Sequence, residues 1–280
     1  MTRDGVVELA DGARLAFDDV GDGPDVVFVH PGLWDRRTWD DQMTSFPAAG
    51  FRAIRYDVRG YGASSRQDGR PYSEVTDLVA LLDELDVDQA ALVGCSMGGA
   101  IAIDTTLEHP DRVWALVPTA SAIGGVEASQ EEEDWFADVV APIEDAIEAG
   151  DHARARTLEL ERLWAPLGTE GDAGRRIREI AFDNLHELTM DETLPLPIDP
   201  PAGHRLHEID VPTLVLKAEH DPPFSRRLSD VIAAGIAGAR ESLIEGADHV
   251  VNLRQPERFD AAVIAFLREV APEADAPIDR

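Results

Sequence analysis

The sequence predicts an α/β fold, with a mostly parallel central sheet, helices on both faces and a helical cap insertion. Three observations predict it. Short continuous apolar runs at 26–29, 90–93 and 113–117 alternate with helix-period segments, as expected of strands buried on both faces. The alternation stops at residue 121 and resumes after residue 205. The chain length of 280 residues suits one large α/β domain. The expected organisation is a core of residues 1–120 and 206–280 and a cap of residues 121–205.

In chain order, residues 6–9 and 14–17 flank the turn Asp11-Gly12, a hairpin signal. Residues 26–29 and 52–56 read as the next strands, and the second runs into a glycine-rich segment. Helix-period leucines occupy 78–85. Residues 90–93 form a strand, 99–108 a helix and 113–117 another strand. Within the insertion, 127–140, 151–164 and 175–190 carry amphipathic helix patterns. The proline-rich stretch 194–201 reads as a linker. Alternation then returns as a strand at 212–217, a helix at 225–236, a strand at 241–244 and a helix at 256–270. The tail 272–280 reads as frayed.

Composition narrows the partners. There are 55 acidic and 25 basic residues, a net charge of −30, and Lys217 is the one lysine. Such a field repels nucleic acid and anionic membranes, so neither is an expected partner. Self-repulsion on this scale is relieved by salt, since the Debye length falls to about 3 Å at 1 M. The charge therefore predicts adaptation to a salt-rich cytosol. An arginine-rich genome explains the missing lysine but not the size of the deficit. No apolar run reaches the ~20 residues of a membrane span. The first residues lack a signal peptide's apolar stretch, and Cys95 is the one cysteine. These features predict a cytoplasmic protein without disulfides.

Gly94-Cys95-Ser96-Met97-Gly98 fits G-x-S-x-G between a predicted strand and a predicted helix. A sharp strand-to-helix turn needs minimal side chains at Gly94 and Gly98. It places the serine on a strained corner with its hydroxyl exposed. The N–H of Met97, at the helix start, can face a developing oxyanion. Serine is a weak nucleophile and needs a base, which in turn needs an orienting acid.

Both candidates lie downstream. Asp221 follows the 212–217 strand after a short turn, and His249 follows the 241–244 strand in a loop. In open α/β sheets, ligands bind at the carboxyl ends of strands. His249 would take the proton from Ser96, and Asp221 would fix the imidazole tautomer. Cys95 lies off the centre of the turn and reads as a small buried residue. His30 reads as a loop-shaping residue. His204 and His207 have i,i+3 spacing but lie in a proline-rich linker without cysteines, so no metal site is expected.

With these motifs in place, the chain resembles the α/β-hydrolase superfamily in its helical-cap branch. Five segments carry the resemblance. His30-Pro31-Gly32-Leu33-Trp34, with Trp39 beyond, resembles the H-G-x oxyanion segment. Asp57 to Ser64 resembles the D-x-R-G-x-G-x-S loop. Gly94 to Gly99 is the nucleophile elbow. Ala218-Glu219-His220-Asp221-Pro222 resembles the acid segment. Gly246 to His249, with Gln255 to Phe259, resembles the histidine segment.

The resemblance implies a Ser96-His249-Asp221 triad and no cofactor. It also implies an oxyanion hole of Met97 with Gly32. Pro31 departs from the family's usual glycine, and a one-residue shift would make the second donor Leu33. Ser96, rather than aspartate, argues against epoxide opening and halide displacement. Hydrolysis of a carboxylic ester or lactone through an acyl-enzyme is the expected activity. Carbon–carbon bond hydrolysis, perhydrolysis and slow-turnover ligand binding are the alternatives. Trp34 and Leu33 are the expected substrate contacts. The cap aromatics Trp135, Phe136, Trp164 and Phe182 read mainly as packing residues.

Overall fold

The computed structural model describes residues 2–272; the tail expected to fray thus lies, from residue 273 on, outside the described residues. Eight strands form one sheet: β1 (Thr2–Glu8), β2 (Arg14–Val20), β3 (Asp25–Val29), β4 (Arg52–Tyr56), β5 (Ala90–Cys95), β6 (Val113–Thr119), β7 (Leu214–Ala218) and β8 (Arg240–Ile244). Their order is β1-β2-β4-β3-β5-β6-β7-β8. Only β2 runs against the rest, pairing in antiparallel register with both β1 and β4. The other neighbours are parallel.

The apolar runs explain the layers. On β3, Val27 and Val29 enter one core while Val26 and Phe28 enter another, as the two-residue side-chain period requires. Helices α2 (Glu74–Glu84) and α3 (Met97–Glu108) cover the first face, with α7 (Pro223–Gly235). Against the second lie α1 (Gln42–Ala48), α8 (Val251–Arg254) and α9 (Pro256–Val270). β5 and β6 are buried along their whole length.

Helices occupy most of the chain between β6 and β7: α4 (Gln130–Glu148), α5 (His152–Glu159) and α6 (Gly171–Asp183). Ser129 and Glu132 form a reciprocal capping box that starts α4. The helix runs past the expected end at 140 and through Pro142 to Glu148. The 151–164 pattern divides into α5 and a π-turn, Leu160–Trp164, closed by Ala165 N–H donating to Leu160 O at 2.7 Å. Asp183 ends α6, and a 3-10 turn, Leu185–Thr189, replaces the last part of the expected helix.

Trp34 docks this insertion. It is 1% exposed, packs with Leu160, Ile177 and Val250, and donates from Nε1 to Ile177 O at 2.9 Å. Asn184 is a second tie. It donates to Asp35 Oδ2 at 2.8 Å and accepts from Gly62 N–H at 3.0 Å. Among the described residues no helix is long and apolar enough to cross a membrane.

Candidate active site

The elbow is built by close backbone approach. A Cβ on Gly94 would lie 2.1 Å from Gly98 O, and one on Gly98 would lie 2.1 Å from Val29 O. Ser96, between them, has φ 53° and ψ −116°, a left-handed conformation that strains an L-residue. Its N–H donates to Thr119 O at 3.0 Å, and its carbonyl accepts from Ala100 and Ala122. The flanking strand and helix thus over-determine the strained corner.

Asp221 and His249 meet. His249 Nδ1 lies 2.7 Å from Asp221 Oδ1, and both side chains are buried. With a carboxylate on Nδ1, that nitrogen carries the proton and Nε2 is left as the acceptor. Asp221 Oδ2 accepts from Ser225 Oγ at 2.5 Å. No hydrogen bond joins Ser96 Oγ to His249 among the described residues. Cys95, the residue before Ser96, links the two segments: its Sγ donates to His249 O at 3.4 Å. Burial, with Asp221 nearby, holds the Cys95 thiol far above the usual range, so it stays protonated there.

The Gly32 segment lies against the elbow. A Cβ on Gly32 would sit 4.0 Å from Met97 Cβ and 3.7 Å from Tyr61 Oη. Leu33 turns the chain at φ 70°. His30 sets the shape of this segment. Its Nδ1 bonds Pro31 O at 2.8 Å, and its Nε2 accepts from Val58 N–H at 2.9 Å. Burial lowers its pKa, outweighing the attraction of Asp57, so His30 remains neutral. Trp34, expected to contact substrate, is sealed into the interface between core and insertion instead. A large apolar ring beside two packed helices gains more by burial than by lining a cleft.

The 57–64 loop is held from several sides. Asp57 accepts from Arg36 N–H at 2.9 Å and Ala63 N–H at 2.7 Å. Arg59 reaches beyond its own loop to Asp77 on α2, through two 2.8 Å contacts, and to Asp11. Asp77 in particular was not visible as its partner in the sequence.

Half-buried aromatics lead away from His249. The Trp164 ring lies 4.3 Å from the imidazole at 37°. Phe224, three residues after Asp221, is 6.1 Å from Trp164 and 4.4 Å from Phe136. Trp135 is 5.9 Å from Phe224. Phe182 lies apart, beneath Arg178 at 4.0 Å. Sequence reasoning missed Ser225 and Phe224. Both sit in the first turn of α7, and only their distance from Asp221 in sequence could have marked them. Among the described residues no group of three or more His, Cys, Asp or Glu side chains is placed to hold a metal ion.

A strained serine at the end of a parallel strand, with a buried carboxylate–imidazole pair after two later strands, is the layout of a hydrolase. The family model described as the alpha/beta hydrolase family matches residues 26–262, and the chain belongs to that family. It is 30% identical over 269 residues to a protein of Mycobacterium tuberculosis described as a candidate non-heme bromoperoxidase, covering 92% of this chain and 98% of the other. A rhodomycin D methylesterase of Streptomyces peucetius is 29% identical over 276 residues, covering 89% and 92%. Among solved structures, Est816, described as an N-acyl homoserine lactone degrading enzyme, superposes with a TM-score of 0.74 at 26% identity, covering 94% and 100%.

Proposed function

We propose that the protein hydrolyses a carboxylic ester or lactone through an acyl-enzyme on Ser96, without a cofactor. The observation that carries this reading is the buried Asp221–His249 pair, 2.7 Å apart and linked through Cys95 to the elbow serine. His249 Nε2 removes the Ser96 proton as Oγ attacks the carbonyl, and Asp221 stabilises the resulting imidazolium. The N–H of Met97, at the start of α3, and that of Gly32 stabilise the oxyanion; one such donor is typically worth about 2.7–4 kcal/mol. The proton then passes from His249 to the leaving alkoxide, and water repeats the sequence to release the acid. The methylesterase and lactone-degrading relatives support an ester or lactone carbonyl. The aromatics around Phe224 favour an apolar substituent on it, and the segment 121–205 acts as the cap that sets this preference.

Perhydrolysis is the second reading, favoured by the likeness to the Mycobacterium protein. In this reading peroxide replaces water as the acceptor of the acyl group.

A fluorophosphonate probe tests the main reading. Ser96 is expected to be labelled, and His249→Ala to abolish labelling. Failure to label folded wild-type protein overturns the serine-hydrolase reading. A panel of p-nitrophenyl esters, lactones, and acetate with peroxide then separates the activities.

A further inference from the structure

We propose that residues 160–168 of the cap are a positioning element for His249, with Trp164 as its contact. The proposal rests on the serine-hydrolase reading above and goes beyond it: the insertion sets the base as well as the substrate.

Two independent attachments converge on the same loop. Trp164, the last residue of the π-turn, packs against the His249 imidazole with ring centres 4.3 Å apart and planes tilted by 37°. A π-turn adds a residue to the helical register and re-aims the side chains that follow. Four residues on, the loop carrying His249 is tied to the cap. Arg254 grips Asp248 through Nε at 3.0 Å and Nη2 at 2.6 Å, and the same Nη2 donates to Gly168 O at 3.0 Å. Asp248 is fully buried and Arg254 nearly so. This chain of contacts fixes both the ring and the backbone of His249 relative to the cap.

Chemistry gives the ring contact a purpose. The imidazole must become a cation in each half-reaction, and an indole face is the best aromatic partner for a cation. The face also keeps the ring plane from turning about the Asp221 hydrogen bond. The charged groups around His249 are Asp221, Asp248 and, behind it, Arg254; the Cys95 thiol is neutral.

Labelling by a small fluorophosphonate reports on the Ser96–His249 pair with little dependence on substrate fit. Trp164→Leu is expected to lower the labelling rate about tenfold, the effect of losing one desolvated cation–aromatic contact. Trp164→Phe should recover most of it. Arg254→Lys keeps a charge beside Asp248 but cannot hold Asp248 and Gly168 together; it should lower kcat more than it raises KM. If Trp164→Leu fails to fold, Trp164→Phe and Arg254→Lys carry the test. Wild-type labelling rates in Trp164→Leu or Arg254→Lys, or equal losses in Trp164→Leu and Trp164→Phe, would overturn the proposal. Absence of labelling in the wild type would instead overturn the parent reading.

Discussion

Ser225 Oγ donates a 2.5 Å hydrogen bond to the carboxylate oxygen of Asp221 that His249 does not use. Both oxygens of the acid are therefore held, one by the imidazole and one by α7. Ser225→Ala leaves the second oxygen buried without this donor. Such a bond to a charged group is worth about 1.5–3 kcal/mol. The expected result is a loss of kcat/KM of about tenfold or more, while Ser225→Thr retains most activity. Steady-state kinetics on any accepted ester checks it.

Asp221→Asn is the stronger lesion. It preserves shape but allows the wrong imidazole tautomer, and in the serine-protease triad this change lowers kcat by about 10⁴. A fall of several orders of magnitude, with an unchanged melting temperature, is expected here. Activity within tenfold of wild type would assign the acid role to another carboxylate.

Packing at the elbow makes a stability prediction. Gly98→Ala places a methyl group 2.1 Å from Val29 O, a backbone atom that cannot swing away. A destabilisation of about 2 kcal/mol or more is expected, in the range of overpacked cores. Urea denaturation measures it. Gly12→Ala, in open space but at φ 88°, should cost less and leave activity intact.

Glu74 makes stability depend on pH. Burial, together with Asp77 and Asp104, pushes its carboxyl up to about 7 from 4.5. The folded state then binds a proton that the unfolded state releases, so stability falls as pH rises from about 4.5 to 7 and stays lowered above that window. Glu74→Gln should flatten this slope and stabilise the protein at pH 8 by about 1–3 kcal/mol. Chemical denaturation at pH 5 and pH 8 is the test.

The net charge of −30 predicts a rise in melting temperature between low and molar KCl, as self-repulsion is screened. A flat melting curve would remove the case for salt adaptation.

The elbow was legible because its constraints are local. Gly94, Ser96 and Gly98 are neighbours in sequence, and only their residue types allow the turn. Asp221 and His249 were legible because a parallel sheet delivers the residues after its strands to one edge. The short α1 was missed: its seven residues include Pro47, and no amphipathic period can establish itself over that length. The π-turn at Leu160–Trp164 was read as ordinary helix, because one extra residue per turn leaves the polarity pattern almost unchanged. Trp34 was misplaced for a different reason. Its neighbours Ile177 and Ile180 lie far along the chain, and burial against them is a property of the assembled fold.

The way Trp34 reaches the insertion decides which residues of the facing helix this contact constrains. Its indole N–H is met by the backbone carbonyl of Ile177, a group that every residue carries. At this contact the core asks little of residue 177 beyond bulk and apolarity, whereas Arg176, Asp183 and Asn184 bind the core through their side chains, to Asp41, Arg37 and Asp35. A changed side chain at residue 177 therefore leaves this hydrogen bond in place, while a change at Arg176, Asp183 or Asn184 removes a tie between the insertion and the core.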